Sequence, residues 1–269
     1  MNFSKEFAVK PGQKVNLTKF DPDDTGDFTD KAKANRLLKK NRDRLGKLQY
    51  LLYAENKRAV LVIFQAMDAG GKDGAIRNVF SGVDPHGCHV TSFKSPSLEE
   101  LEHDFLWRIH RAAPMKGEIG IFNRSQYEDV LIARVRKLVP KEVWSKRYDQ
   151  INRFERNLAA NDVTILKFFL HISEDEQKER LQARLKDPEK NWKFNPGDLD
   201  ERKLWDDYTE AYEDALSRCS TEWAPWFIIP SNKKWFRSLA VSEIVVESLG
   251  ALDMKFPKPK CAVSKIVVE

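Results

Sequence analysis

The stretch AVLVIFQAMDAGGKDG, residues 59–74, decides the fold class of this chain of 269 residues. Its first eight residues, Ala59–Ala66, are almost entirely apolar, which is typical of a strand buried on both faces of a parallel sheet. Two adjacent glycines then predict a tight turn, and we expect a helix from Lys72 to about Phe80. Strand, glycine turn and helix in this order are the context in which a phosphate-binding loop occurs.

The glycine turn contains the residue types that bind phosphate. Glycine lets several backbone N–H groups face one anion, and the N-terminus of the following helix adds partial positive charge. Lys72, in the first helical turn, can neutralise charge on a phosphate during transfer. The positions predicted to bind phosphate are Ala69, Gly70, Gly71, Lys72, Asp73 and Gly74.

The turn departs in two places from the GxxxxGK[ST] pattern of phosphate loops. Ala66 replaces the first glycine, and Asp73 replaces the Ser or Thr that binds magnesium. Two interpretations remain open: a chance Gly-Gly turn, or a phosphate loop in which carboxylates bind the metal. Asp68 and Asp73 would repel a bound anion unless a cation lay between them, which favours Mg²⁺, an ion that prefers oxygen ligands.

Strand and helix patterns alternate along the rest of the chain. Further strands are predicted at Cys88–Phe93, Ile119–Phe122, Val163–Ile172 and Trp226–Ile229. Helices are predicted at Thr29–Asn56, from Ser97 to about Arg111, from about Gln126, at Lys141–Ala160, from Ser173 to about Lys186, up to about Arg218, and at Lys233–Leu252. Five strand–helix units predict an α/β protein, a three-layer sandwich with a five-stranded parallel sheet in the middle. We expect one domain at residues 29–254, between an irregular segment at 1–28 and a loose tail at 255–269.

Composition excludes several classes of protein. Apolar residues make up 41% and charged residues 32%, which excludes collagen-like and disordered chains. No apolar run reaches the roughly 18 residues of a membrane span; the longest, Val163–Ile172, contains Lys167 and His171.

The first residues lack the apolar core of a signal peptide. Three scattered cysteines, Cys88, Cys219 and Cys261, predict neither a disulfide framework nor a zinc site, so we expect a cytoplasmic protein.

The charge distribution is uneven, although the net charge is only +5. Residues 31–60 contain ten basic and two acidic residues, an excess of eight positive charges. Such a stripe can concentrate a polyanion such as nucleic acid, acidic lipid or a phosphate polymer. Taken alone, the stripe is more simply explained as a solvated helix face.

Arg124 and Glu128 follow the third predicted strand. Ligands bind at the carboxyl ends of strands in open parallel sheets, so Arg124 is expected in the same crevice as Lys72. An arginine there can bind phosphate oxygens with its guanidinium fork, and Glu128 can hold a metal water or a nucleotide. The alternative is an ion pair at the surface.

Further basic residues occur in two later segments. Arg180, Arg184 and the lysines up to Lys193 predict a mobile lid that closes over phosphates, near residues 180–205. A solvated helix with Glu176–Arg180 pairing is the alternative. Arg108 and Arg111, beside Trp107, are candidates for binding a polyanion or for the solvent fringe of a core tryptophan.

Three stretches of the chain resemble the polyphosphate kinase 2 family. They read MDAGGKDGAIRNVFSGVDPHGCHVTSFKSPS, DFLWRIHRAAPMKGEIGIFNRSQYEDVLIARV and RLQARLKDPEKNWKFNPGDLDERKLWDDY. The likeness covers about residues 30–250. It implies a fold like that of P-loop nucleotide kinases with a helical lid, and Mg²⁺-dependent phosphoryl transfer between inorganic polyphosphate and nucleotides. The form FNRS-x-YED resembles the class III branch, which accepts both AMP and ADP.

The resemblance also implies roles for individual residues. Asn123 stands where the better-known branch has Asp, and a neutral amide is a weaker Mg²⁺ ligand. The roles implied are catalysis by Asp68, Lys72, Arg124 and Arg184; nucleotide binding by Asn123, Arg124, Glu128 and Asp198; and metal binding by Asp68 and Glu128. If the chain is such a kinase, basic residues beside the pocket are expected to bind the polyphosphate, namely Arg77, Lys94, Arg108 and Arg111.

Three functions are therefore weighed against each other. The first is a kinase that transfers phosphoryl groups reversibly between polyphosphate and AMP or ADP, with ATP among its nucleotides. The second is an ATP-dependent nucleotide or nucleoside kinase. The third is a non-catalytic polyanion-binding protein that uses the basic stripe. We expect no membrane or nucleic-acid partner for the kinase, and a homo-oligomer, either a dimer or a tetramer.

Overall fold

Five parallel strands form the centre of the molecule, which is represented by a computed structural model that describes residues 2–260. The strands are β1 Ala59–Gln65, β2 Cys88–Ser92, β3 Ile119–Asn123, β4 Val163–His171 and β5 Trp226–Pro230. Their order in the sheet is β2-β3-β1-β4-β5. The predicted α/β class and the five-stranded parallel sheet are confirmed.

Helices cover both faces of this sheet. In chain order they are α1 Phe3–Phe7, α2 Lys31–Glu55, α3 Lys72–Val79, α4 Leu98–Leu101, α5 Trp107–Arg111, α6 Ile132–Val135, α7 Lys141–Ala160, α8 Glu174–Lys186, α9 Gly197–Arg202, α10 Trp205–Cys219 and α11 Lys234–Gly250. Because strand side chains alternate, Val60 and Val62 face a core built with α2, α3 and α11, whereas Leu61 and Ile63 face a core built with α7 and α10. The sandwich is therefore held by two separate apolar cores.

The strand order places the ends of β1 and β3 at a change of direction in the sheet. The chain leaves β1 towards the β2 edge, returns to β3, and then crosses β1 to reach β4. Ligands of open parallel sheets bind in the crevice at such a point, outside the carboxyl ends of the strands. The loop after Gln65 and the loop after Asn123 meet there.

Helix α2 carries the basic stripe. Asp30 caps its N-terminus by accepting hydrogen bonds from Ala32 N and Lys33 N, and Asn56 ends it in the left-handed region at φ 52°. The apolar face packs on α11. Most of its basic side chains are exposed to solvent. The stripe is a solvated helix face in this structure.

The segment 1–28, expected to be irregular, contains α1 and belongs to the core. Asn2 accepts a hydrogen bond from Lys5 N and caps the helix, and Phe3 and Phe7 pack against Phe236. Two aromatic side chains four residues apart lie on one face of a helix, so even a single turn can bury both. Burial supplies the stability that so short a helix lacks by itself.

Three predicted helices differ from the structure in their extent. The helix expected from Ser97 to Arg111 is divided into α4 and α5, because the side chain of Asp104 accepts from Leu106 N and starts a new turn. The capping box of Ser97 and Glu100 is present. The helix expected from Gln126 is a 3-10 turn followed by the short α6, and the helix that ends near Arg218 is preceded by the separate α9.

The expected tail lies partly outside the described residues. Residues 255–260 contain no helix or strand, and residues 261–269, with Cys261, are not described. Within residues 2–260, no helix is both long and apolar enough to cross a membrane.

Candidate active site

The loop between β1 and α3 has the shape of an anion-binding turn. Ala69 and Gly71 have positive φ values of 59° and 96°. Strained residues such as Ala69 concentrate at functional sites. Gly70 N donates to Met67 O at 2.9 Å, and no side chain within residues 2–260 caps the first turn of α3. The first N–H groups of α3 therefore have no partner within the helix and are available to an anion.

Lys72 is buried at the start of α3. Its side chain is 9% exposed, and Nζ donates to Ala66 O at 2.9 Å. Burial, together with the nearby charge of Arg124, lowers the pKa of Lys72 to about 8. A lysine held in this way is an ammonium that gains strongly from a phosphate partner.

Two side-chain contacts join the loops after β1 and β3. Arg124 Nη2 donates to Asp68 Oδ1 at 2.9 Å, and Asn123 Nδ2 donates to Asp73 Oδ1 at 2.8 Å. Arg124 has a φ of 64°, and its amide donates to Phe64 O. The left-handed backbone at Arg124 is tied to the end of β1, so the guanidinium faces the crevice from a fixed point.

A buried polar network lies beneath the second loop. Gln126 Nε2 and Tyr127 OH both donate to Glu155 Oε1 at 2.9 Å. Lys167 Nζ on β4 donates to Tyr127 OH at 2.8 Å and is paired with Glu155. All four side chains are fully buried. This network anchors the turn that carries Arg124 and Glu128, and sequence reasoning did not find it, because Glu155 and Lys167 sit in otherwise ordinary helix and strand patterns.

Two cavities meet at the crevice. A cleft of about 650 Å³ extends over the glycine loop, and a smaller pocket of about 190 Å³ lies beside it. Three residues line both, namely Asp68, Arg124 and Asp198. The basic residues that line the cleft are Lys72, Lys94, Arg124, Arg180, Arg184, Lys190, Lys193 and Lys234. The cleft is a strongly basic site suited to a long polyanion.

The smaller pocket has a different chemistry. Trp205, Tyr208 and Tyr212 contribute an aromatic wall from α10, and Glu128 and Glu201 contribute carboxylates. Tyr208 OH donates to Glu201 Oε2 at 2.6 Å. An aromatic wall with a few polar groups is typical of sites that bind a flat organic ring. In the sequence, the helical spacing of these three aromatic residues indicates only a side of a helix that packs on the core, so their role in the pocket could not be predicted.

The segment after β4 closes over the cleft from one side. Arg184 on α8 and Asp198 on α9 form an ion pair of 3.3 Å, and Lys193 lies 3.7 Å from Asp73. Burial and the neighbouring charge of Asp68 raise the pKa of Asp198 above its usual value. Arg180, Arg184, Lys190 and Lys193 thus line the cleft, as a lid would require, whereas Lys186 is exposed and does not line it.

The candidate residues are brought together with one exception. All the catalytic, phosphate-binding, nucleotide-binding and metal candidates line the cleft or the pocket. Lys94 lines the cleft and also an adjoining cavity of about 440 Å³, which Arg108 and Arg111 line as well. Arg77 is exposed near the end of α3 and does not line any of these three cavities.

The donor groups at the crevice suit Mg²⁺. Asp68 and Glu128 offer carboxylate oxygens next to the phosphate loop. Within residues 2–260, no three His, Cys, Asp or Glu side chains are grouped as a metal cage. Mg²⁺ is commonly held by one or two carboxylates together with substrate phosphates and water, so a site without a full protein cage fits this ion.

Comparison with known proteins agrees with this geometry. A family model described as polyphosphate kinase 2 matches residues 28–257. The chain is 57% identical over 267 residues to an AMP/ADP-polyphosphate phosphotransferase of Meiothermus ruber, covering 98% of this chain and 100% of that one. It is 49% identical to an ADP-polyphosphate phosphotransferase of Rhodopseudomonas palustris, covering 95% of this chain and 92% of that one.

A solved structure extends the comparison to three dimensions. The crystal structure of polyphosphate kinase 2 from Arthrobacter aurescens superposes with a TM-score of 0.94 at 43% identity, covering 98% of this chain and 94% of that one.

Proposed function

Because the chain belongs to the polyphosphate kinase 2 family, we propose that it transfers phosphoryl groups between inorganic polyphosphate and AMP or ADP. One observation supports this assignment above the others. A basic cleft and an aromatic pocket meet at Asp68, Arg124 and Asp198. A phosphate polymer in the cleft and a nucleotide in the pocket would place donor and acceptor phosphates on either side of these residues.

Transfer between two phosphates requires positioning and charge neutralisation more than covalent chemistry. Lys72, Arg124 and Arg184 all line the cleft, and Arg124 also lines the pocket. They would neutralise the group in transit, with the N–H groups of the glycine loop binding the same phosphates. The acceptor oxygen belongs to a nucleotide phosphate that is already ionised, so no general base is required.

Asp68 and Glu128 are the proposed Mg²⁺ ligands. The ion, when bound, supplies a compact positive charge between carboxylates and phosphates. Asn123 binds Asp73 rather than facing the pocket, so its proposed role is to position the glycine loop and not to bind metal. Its contribution to nucleotide binding would then be indirect.

Arg108 and Arg111 are proposed to extend the polymer site. Their cavity shares Ser92, Phe93 and Lys94 with the cleft, so one chain of phosphates can run from one to the other. Arg108 Nη1 donates to the backbone O of Lys94 at 2.9 Å, which holds the Arg108 guanidinium beside the loop that carries Lys94. Arg77 is not included in this track.

The test separates the proposed donor from ATP. Purified protein is incubated with Mg²⁺ and AMP, with polyphosphate alone or ATP alone as the donor, and products are separated by chromatography. We expect ADP and ATP from AMP and polyphosphate. Product from ATP but not from polyphosphate would establish the ATP-dependent kinase instead. ADP alone, without any donor, controls for disproportionation.

A non-catalytic polyanion-binding protein makes a different prediction. Its basic stripe lies on α2, which lines neither cavity. Binding would then depend on salt but not on Mg²⁺ or Lys72. We expect the kcat of Lys72→Met to fall at least about a hundredfold, which is the effect of removing one group that stabilises charge in a transition state. The exposed Lys47 provides the matched variant Lys47→Met, expected to retain full activity.

We also propose a homo-oligomer. Tyr50 and Phe256 are 58% and 62% exposed, and their rings lie 6.0 Å apart, which leaves an apolar patch beside the basic stripe. Sedimentation velocity would show a dimer or tetramer, and a monomer at micromolar concentration would contradict the proposal.

A cytoplasmic location is consistent with the free thiols of Cys88 and Cys219. Fractionation of the source cells tests it, and recovery in an extracellular fraction would contradict it.

A further inference from the structure

Arg237 lies directly against the backbone of the phosphate loop. It belongs to the first turn of α11 and is only 2% exposed. A Cβ atom added at Gly71 would come within 2.1 Å of Arg237 Nη1, and one added at Gly74 within 3.2 Å of Nη2. The guanidinium therefore occupies the space where the Cβ atoms of other residues would lie. Arg237 can pack in this position only because residues 71 and 74 are glycines.

The charge of Arg237 has no counter-ion among residues 2–260. Within residues 2–260, no carboxylate forms an ion pair with its guanidinium, and Nε is buried without a hydrogen-bond partner. Burial, reinforced by the like charge of Arg180, lowers the pKa of Arg237 to about 10. Arg180 differs, because it is paired with Glu176 and donates to Ala69 O and Gly70 O.

A buried charge without a partner is costly to a folded protein. Proteins retain such a group where its partner arrives with a ligand. The nearest place for an anion is the glycine loop, whose first amides at α3 are unpaired and lie on the backbone that Arg237 touches. A phosphate bound by those amides would lie on one side of the loop backbone, with Arg237 on the other side. It would supply the missing negative charge.

We propose that Arg237 is a positioning residue whose buried charge is compensated by polyphosphate bound on the glycine loop. This inference rests on the proposed function, since the polymer is the anion that fills the cleft. Arg237 supports the loop from the α11 side, while Lys72 and Arg124 act from the cleft. The uncompensated charge of Arg237 lowers the stability of the unliganded protein. Binding of the polymer compensates this charge and raises the stability again.

The substitution Arg237→Met tests the proposal, because methionine keeps an unbranched side chain and removes the charge. Its matched control is Arg153→Met on α7, which removes the same charge from a side chain that is 79% exposed and forms an ion pair with Asp149. Thermal unfolding is measured without ligand and with tripolyphosphate. Initial rates give kcat and the KM values for polyphosphate and AMP.

Without ligand, Arg237→Met is expected to unfold at or above the wild-type temperature. Its stabilisation by tripolyphosphate should be largely lost, and its KM for polyphosphate should rise about tenfold, because the attraction between the buried charge and the bound polymer is removed. The KM for AMP should stay near the wild-type value, and Arg153→Met should match wild type throughout. Arg237→Lys, which keeps the charge, should recover part of the tripolyphosphate response.

Several results would overturn the proposal. One is an Arg237→Met protein that fails to fold, and another is an Arg237→Met protein that loses stability without ligand but keeps its polyphosphate KM, since either describes a structural arginine. Another is an Arg237→Lys protein as impaired as Arg237→Met. If wild type itself is not stabilised by tripolyphosphate and shows no transfer from polyphosphate, the proposed function fails, which is distinguishable from failure at Arg237 alone.

Discussion

Arg124 Nη2 lies 2.9 Å from Asp68 Oδ1, and this ion pair joins the two loops that form the crevice. Both side chains are partly exposed to the cavities they share. The carboxylate therefore positions the arginine, while its own position beside the phosphate loop suits a metal ion. Under the proposed roles, this single contact couples the placement of a cation for phosphate with the placement of a ligand for Mg²⁺.

Replacing Asp68 by Asn removes the charge at this contact and keeps the shape. We expect kcat to fall about a hundredfold and the Mg²⁺ concentration for half-maximal rate to rise, because a neutral amide is a weak Mg²⁺ ligand. Rates are measured across a Mg²⁺ titration. The control is Asp206→Asn, an exposed position on α10. An unchanged Mg²⁺ dependence would exclude Asp68 as a ligand.

The pKa of Lys72 near 8 predicts a pH dependence with a definite sign. The charged form is required to bind phosphate, and it is lost as the pH rises through about 8 in the unliganded protein. We therefore expect kcat/KM for polyphosphate to decline above that pH, since this ratio reports the free enzyme. Lys72→Arg stays charged and should lack that decline, although its rate is lower. A wild-type profile that is flat from pH 7 to 9.5 would contradict the assignment.

The ion pair between Arg184 and Asp198 predicts that Asp198, in the lid segment, affects the rate of phosphoryl transfer. Asp198→Asn is expected to lower kcat about tenfold, because Arg184 loses the carboxylate that directs it towards the cavities. Stability should change by no more than about 0.5 kcal/mol, as for other partly exposed pairs. Asp200→Asn on the same helix is the matched control, since its carboxylate is 61% exposed and pairs with the exposed Lys203. Equal rates for the two variants would refute a special role for Asp198.

The buried pair of Lys167 and Glu155 predicts a large effect on stability. Lys167→Met leaves Glu155 as an unpaired buried carboxylate, and the free energy of unfolding should fall by about 3–5 kcal/mol. Adding Glu155→Gln removes the unpaired charge and should restore part of that loss. Denaturant unfolding of the single and double variants measures both effects. A single variant within about 1 kcal/mol of wild type would mean that the network does not anchor the Arg124 turn.

Much of the site could be predicted from local patterns. The apolar run before two glycines and Lys72 indicates a buried strand, a tight turn and a helix N-terminus, and each of these is a property of neighbouring residues. The positions of Arg124 and Glu128 follow because parallel strands end at one edge of the sheet. Arg77 shows the limit of such reasoning, because the direction in which a helix points a side chain depends on how the helix packs.

The sequence by itself determined the sheet, the phosphate loop and the residue types at the crevice, since short-range periodicity and turn chemistry encode them. Only the tertiary structure decided that Arg237, more than 160 positions after Gly71 in the chain, touches that glycine, or that α10 supplies an aromatic wall to the second pocket. The physical reason is that the cost of burying a charge depends on which distant groups surround it. Only the packed chain brings those groups together.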